Sequence, residues 1–388
     1  MMAVWWGLVQ NEWLKFRRRR RVWLGVVGLV LLTGLVTLSQ VGNVQNGSAA
    51  FFAKSDRAQI PSLQASLKHD HGAQRVYDRV ILLQTRYDLA AVTGKPLPPL
   101  TPIVRATRSW VAATAKGPRG ANGYGMAVTA YKDALYARAH HLELPPSSLP
   151  KSGWWLVNQV FTGTLLVLFV LLGVLLTADT LGMEVATNTW NRLWLDPPPR
   201  LPLLLAKLAL ALGVAVGVLA SAGILLFVSG TLVFGPHATW VVTEVTYTTV
   251  PVHYPSGTLL QPVILHARDV TATSLQNLDV LSVVGSFLPM AAIVSVAAAL
   301  GYLIHQGTVA TILAAAFAAT PILVLSGNVP SWMAWLPGTY LEFGRWLQGA
   351  VLGLDAPTFS LAAALGTALA WLALAWLLVA WHQRRVEL

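Results

Sequence analysis

Nine histidines and sixteen carboxylates are the residues of this 388-residue chain best suited to hold a metal or move a proton. His69-Asp70-His71 and His140-His141-x-Glu143 set imidazole beside carboxylate, a donor combination that suits zinc or copper. Adjacent histidines on a helix point in different directions, however, and neither group has a zinc-type spacing, so solvated side chains are expected and no metal site is assigned. H-E-x-x-H is absent, as is the phosphate loop G-x-x-x-x-G-K-[ST]; Gly94-Lys95 is followed by Pro96. With no cysteine, disulfides, thiolate nucleophiles and cysteine-held zinc or iron–sulfur centres are excluded. No catalytic residue is assigned.

A different chemistry, that of docking, is legible between Asp179 and Arg200. Trp190, Leu193 and Trp194 fall at i, i+3 and i+4, which gives a short helix one apolar patch, and Pro197, Pro198 and Pro199 then stop it. Glu184 and Arg192 flank that patch with opposite charges. Exposed aromatics bordered by charge suit a docking surface for a soluble partner; the alternative is an interface helix with no partner.

The elements that must carry this segment are set by composition. Hydrophobic residues make up 55% of the chain and charged residues 11%, with a mean hydropathy of +0.58. Soluble domains carry about 25% charge, so the expected fold is an all-α integral membrane protein. A spanning helix takes about 20 apolar residues, and six such runs are read at 22–38, 153–178, 202–234, 280–304, 309–327 and 359–381. The first follows five arginines and no small-residue cleavage site, so it is expected to stay as an anchor. Lys and Arg orient the spans: with the N-terminus inside, eleven cations border the cytoplasmic ends, while the two short outer loops hold only Arg268 and Arg345. Both termini of this multi-pass plasma-membrane protein are therefore expected in the cytoplasm.

Residues 1–21 read as an interfacial helix and basic anchor. Trp5, Val9, Trp13 and Phe16 form a stripe ahead of Arg17, Arg18, Arg19, Arg20 and Arg21, which attract anionic lipid and resist entry into hydrocarbon. Nothing here resembles a nucleic-acid module. Residues 39–152 read as an extracytoplasmic unit of two or three helices: Val76, Val80, Leu83 and Tyr87 make one stripe, Tyr124, Val128, Tyr131 and Leu135 a second, and Gly94 to Pro102 breaks the pattern between them. The remaining pieces are a cytoplasmic loop at 179–201, an outer loop at 235–279, a tight turn at 305–308, an aromatic outer segment at 328–358 and a tail at 382–388. The segment 328–358 holds Trp332, Trp335 and Trp346 with Pro330 and Pro337, and reads as short helices dipping into the outer interface. Ionisable groups at depth would mark catalysis or ion coupling; the spans are read as carrying none, with Asp179 and Asp279 hydrated at span ends, and no inverted repeat is evident.

Taken in order, these pieces resemble a permease subunit of the type 2 ABC exporters. The resemblance rests on Asn11-Glu12-Trp13-Leu14-Lys15 with the arginine run, on Glu184, Thr189, Leu193, Pro199, Arg200 and Lys207 in the inner loop, on Leu336-Pro337-Gly338-Thr339-Tyr340, and on Trp381-His382-Gln383-Arg384-Arg385. Asn188 stands where the family usually has glycine, and Trp194 where it has leucine. The resemblance implies that Glu184, Thr189, Trp190, Arg192, Leu193 and Trp194 couple to a separate ATP-binding subunit, which binds ATP and magnesium in this chain's stead. It also implies a second permease, identical or paralogous. Apolar spans two and five would line a cavity for an amphipathic or lipophilic cargo such as a peptide, drug or lipid. The alternative reading is a channel or an outer-domain receptor without ATP coupling.

Overall fold

The computed structural model describes residues 2–46, 49–115, 122–144, 152–163, 165–177, 200–235, 240–245, 248–254, 257–264, 266–304, 307–324, 331–347 and 361–386. The N-terminal helix α1 (Met2–Arg17) ends among the arginines, where the Arg19 amide turns back to the Phe16 carbonyl, and α2 (Arg20–Asn46) begins immediately. Four helices follow: α3 (Ala49–His69), α4 (Gly72–Val92), α5 (Thr101–Thr114) and α6 (Asn122–His140). Each packs on the next. Val80, Tyr87 and Val128 are buried in their contacts, with Leu83, Tyr131 and Leu135 against them, so both apolar stripes face inward. Four helices rather than two or three arise because residues 49–69, polar on average, still form a full helix around Pro61.

The run at 153–178 is not one straight helix. It is α7 (Gly153–Phe161) and α8 (Leu166–Thr177), bent by 71° at Thr162 and Gly163. Thr162 Oγ1 donates to the Asn158 carbonyl at 2.7 Å and closes the end of α7. Next comes α9 (Arg200–Phe234), whose Ala211, Ala215, Leu219, Ala222 and Leu226 form one fully buried ridge. Small side chains on that ridge let α7 and α8 approach closely, with Phe161, Phe169 and Val170 filling the seam.

Residues 235–279 contain strands as well as loop. β1 (Val241–Val245) pairs antiparallel with β4 (Val270–Ser274), and β2 (Thr248–Tyr254) with β3 (Gly257–Val263). α6 packs on β1 and β4, which fastens the α3–α6 unit to the bundle. Ser274 then caps α10 (Leu275–Gly285), and α11 (Phe287–Ile304) and α12 (Gly307–Val324) follow. Residues 331–347 form two 3-10 turns, Ser331–Trp335 and Pro337–Tyr340, and the short α13 (Phe343–Leu347), ahead of α14 (Leu361–Val386).

Among the described residues, four helical runs are long and apolar enough to cross a membrane: Arg20–Val41, Leu205–Phe234, Leu275–Ile304 and Ala362–His382. The bent pair α7–α8 makes a fifth if counted as one span, and Val309–Ala319 is a shorter apolar helix. Leu24, Leu31, Leu35, Leu369 and Leu377 are exposed on α2 and α14, as lipid-facing side chains are.

The start of α13 and the turn before it lie against α10 so closely that two glycines are required. A Cβ on Gly285 would overlap the Phe343 ring, and one on Gly344 would overlap the Ser282 hydroxyl. The Ser286 hydroxyl also donates to the Leu341 carbonyl at 2.7 Å. Gly285→Ala is therefore expected to destabilise the protein by about 1–3 kcal/mol through overpacking, seen as a lower thermal midpoint in detergent; an unchanged midpoint would mean that Phe343 moves aside freely.

Candidate functional site

The N-terminal helix is fastened to the bundle by charge. On α1, Glu12 and Phe16 are buried one turn apart, while Trp6, Trp13 and Leu14 are exposed, so the protein-facing edge centres on Glu12 rather than on Trp13. Trp13 stacks on Phe16 at 6.0 Å between ring centres. Trp5 lies within α1, and Arg17, Arg18, Arg20 and Arg21 are exposed around the break before α2, with Arg19 half-buried.

Opposite Glu12 stands Lys207, on the second turn of α9. Lys207 Nζ donates to Glu12 Oε2 at 2.6 Å, and Lys15 Nζ donates to Oε1 at 2.8 Å. The Glu12 side chain is 3% exposed and that of Lys207 1%. Burial alone would raise the Glu12 carboxyl, but the charge of Lys207 and the hydrogen bonds from Lys15 and Lys207 outweigh it and hold the group below its ordinary value. Higher in the bundle, Thr37 on α2 and Ser229 on α9 share a hydrogen bond of 2.9 Å. α9 thus grips the N-terminal helix at its foot and the first spanning helix near its other end.

Lys207 stands seven residues after α9 begins, and the segment leading into α9 holds the sequence-derived docking residues. Glu184, Thr189, Trp190, Arg192, Leu193 and Trp194 lie outside the described residues. The pairing of Glu12 with Lys207 did not emerge from the sequence, although both residues stand in the motifs singled out there. Its one local signal is a carboxylate on the same helical face as Phe16, an apolar face where a lone charge needs a partner.

Two other expectations meet the geometry differently. Asp279, read as hydrated at a span end, is fully buried in α10, because α7 and α13 cover it. His140 lies against Tyr136 with ring centres 4.1 Å apart, and among the described residues no three of His, Asp and Glu stand close enough to hold a metal ion.

The docking of α6 on β1 carries its own pH dependence. Thr243 on β1 donates to Asp133 on α6, yet burial still pushes the Asp133 carboxyl up, from 3.8 to about 6. Between those values the folded chain holds a proton that the unfolded chain has released, so stability falls as pH rises through the window. Relative to Asp133→Asn, the parent should lose roughly 3 kcal/mol across it, read as diverging unfolding midpoints; parallel midpoints would contradict the assignment.

Apolar helices exposed on their outer sides, a broken pair within the bundle and a charged N-terminal helix clamped to it define a multi-pass membrane protein. The family model for ABC-2 family transporter protein matches residues 6–382, and the chain belongs to that family. It is accordingly a membrane permease of an ABC transporter, a transport component that works with an ATP-binding subunit. No curated protein and no solved structure matches the chain.

Proposed function

We propose that this permease moves an amphipathic or lipophilic cargo outward, driven by a separate ATP-binding subunit that docks on the 179–201 loop from the cytoplasm. In this reading Trp190, Leu193 and Trp194 fill a groove on the ATPase, Glu184 and Arg192 fix the register, and Thr189 belongs to the same helix. Both termini are cytoplasmic, and a second permease, identical or paralogous, completes the pathway. The observation that carries the proposal is the buried Glu12–Lys207 pair. A push on the loop reaches α9 within two turns, and the ion pair passes it to α1 and thence to α2. The loop therefore has a mechanical route to the first span as well as to its own.

Supporting the lipophilic cargo is the apolar lining that α8 and α12 would offer, built from Leu, Val, Ala and Thr. The test is reconstitution of the permease with its ATPase in vesicles, with a fluorescent amphipathic peptide or lipid analogue placed on the ATPase side. ATP is expected to move the probe across, and Trp190→Ala with Leu193→Ala to stop it. ATP hydrolysis without movement of any such probe would remove the cargo class; movement toward the ATPase side would reverse the direction.

A further inference from the structure

α7, α10 and α13 meet in a closed seam at the end of the bundle where β4 runs into α10. Asp279 lies in this seam with 0% exposure, and its neighbours on the same face of α10, Leu275 and Ser282, are buried with it. Asn158 Nδ2 on α7 donates to Asp279 Oδ1 at 2.9 Å, while Oδ2 has no hydrogen-bond partner among the described residues.

Among the described residues, the elements packed around Asp279 offer it no counter-charge. α7 has no ionisable residue and β4 none; the sequence of β1 holds no cation; α11 has only Tyr302, close to its opposite end. On α9 the cations are Arg200 and Lys207, at the opposite end, with Lys207 bound to Glu12. α13 supplies Arg345, but it is taken by Glu342 in the turn before it, at 3.0 Å. A carboxylate enclosed in this way, with one amide donor and no cation, carries a desolvation cost of several kcal/mol that the neutral acid does not. The element opposite, α7, is a helix of its own, set off from α8 by the 71° bend. Broken helices facing a buried carboxylate are how membrane proteins build sites for small cations.

We propose that Asp279 is a proton-binding site that clamps α7 to α10: the neutral acid keeps the seam closed and dry, and loss of its proton opens the seam to water. On binding, an Oδ2 lone pair takes a proton from water and forms the O–H bond; on opening, the proton returns to water. Asn158 positions the acid through Oδ1, leaving Oδ2 as the protonated oxygen. This inference concerns the permease alone and stands whether or not the cargo and direction proposed above are right.

The test uses the full chain in lipid nanodiscs. Infrared difference spectra recorded while pH is raised from about 5 to about 9 should show a carboxylic-acid band that is present at neutral pH and is lost as the seam opens. The band should vanish in Asp279→Asn and persist in Glu342→Gln. Amide exchange of α7, corrected for the intrinsic pH dependence, should rise about tenfold or more as the band is lost, and stay flat in Asp279→Asn. On the parent protein, a hydrophobic carbodiimide at neutral pH should label residue 279, mapped by peptide mass, which gives a readout even if the variant fails to fold. Absence of both the band and the label at neutral pH would show Asp279 ionised and overturn the proposal. A rise in α7 exchange equal in parent and Asp279→Asn would overturn the clamp.

Discussion

Lys207→Met is expected to destabilise the protein by about 3–5 kcal/mol, the range for breaking one side of a buried ion pair. The variant leaves Glu12 inside the α1–α9 contact with Lys15 as its remaining cation, and Lys15 is much more exposed than Lys207. Thermal unfolding in detergent should report the loss. Amide exchange should place it in α1, which detaches first. Glu12→Gln combined with Lys207→Met removes both charges and is expected to recover most of the stability, since a neutral pair of similar volume often substitutes well for a buried ion pair. Because the Glu12 carboxyl is held below its ordinary value, the contribution of the pair is complete above about 4.5 and disappears as acid protonates Glu12 in the folded state. Equal stability of parent and Lys207→Met would mean that α1 is held by Phe16 and its apolar neighbours alone. If the double variant is stable yet hydrolyses ATP without transport, the ion pair acts in coupling as well as in folding.

Replacing Trp190 and Leu193 together with alanine should have an effect of similar size on a different quantity. Two anchors of about 2 kcal/mol each at the centre of an interface weaken association by roughly a thousandfold. The permease itself should stay folded, since the Glu12–Lys207 contact is intact. Affinity for the ATP-binding subunit, measured with the purified permease in nanodiscs, separates the two effects: unfolding midpoint preserved, binding lost. Undiminished binding would move the docking surface away from this segment.

Much of this architecture is legible in the residues because its causes are local. Hydropathy marks the spanning runs, the arginines after Phe16 end the N-terminal helix, and the stripes through Val80 and Val128 identify the buried faces of α4 and α6. Contacts between distant residues are a different matter. Glu12 and Lys207 are 195 positions apart, and each alone reads as an ordinary charge near a membrane surface. The break at Thr162 and Gly163 is masked by apolar residues on both sides, which give a continuous hydropathy signal. Asp279 looks like a hydrated span end until α7 and α13 are seen to cover it. The strands at 241–274 carried a usable signal, runs rich in Val and Thr, that a search for apolar helices passes over.

The central question is whether this chain works as the membrane half of an ATP-driven complex. The direct measurement is the composition and ATPase activity of the tagged protein purified from its own membranes in mild detergent. An ATP-binding protein is predicted to accompany it in equal molar amount, to hydrolyse ATP, and to be lost when Trp190 and Leu193 are replaced. Recovery of the permease with no ATP-binding protein, even after crosslinking in intact membranes, would contradict the coupling account and return the chain to the reading of a channel or an outer-domain receptor.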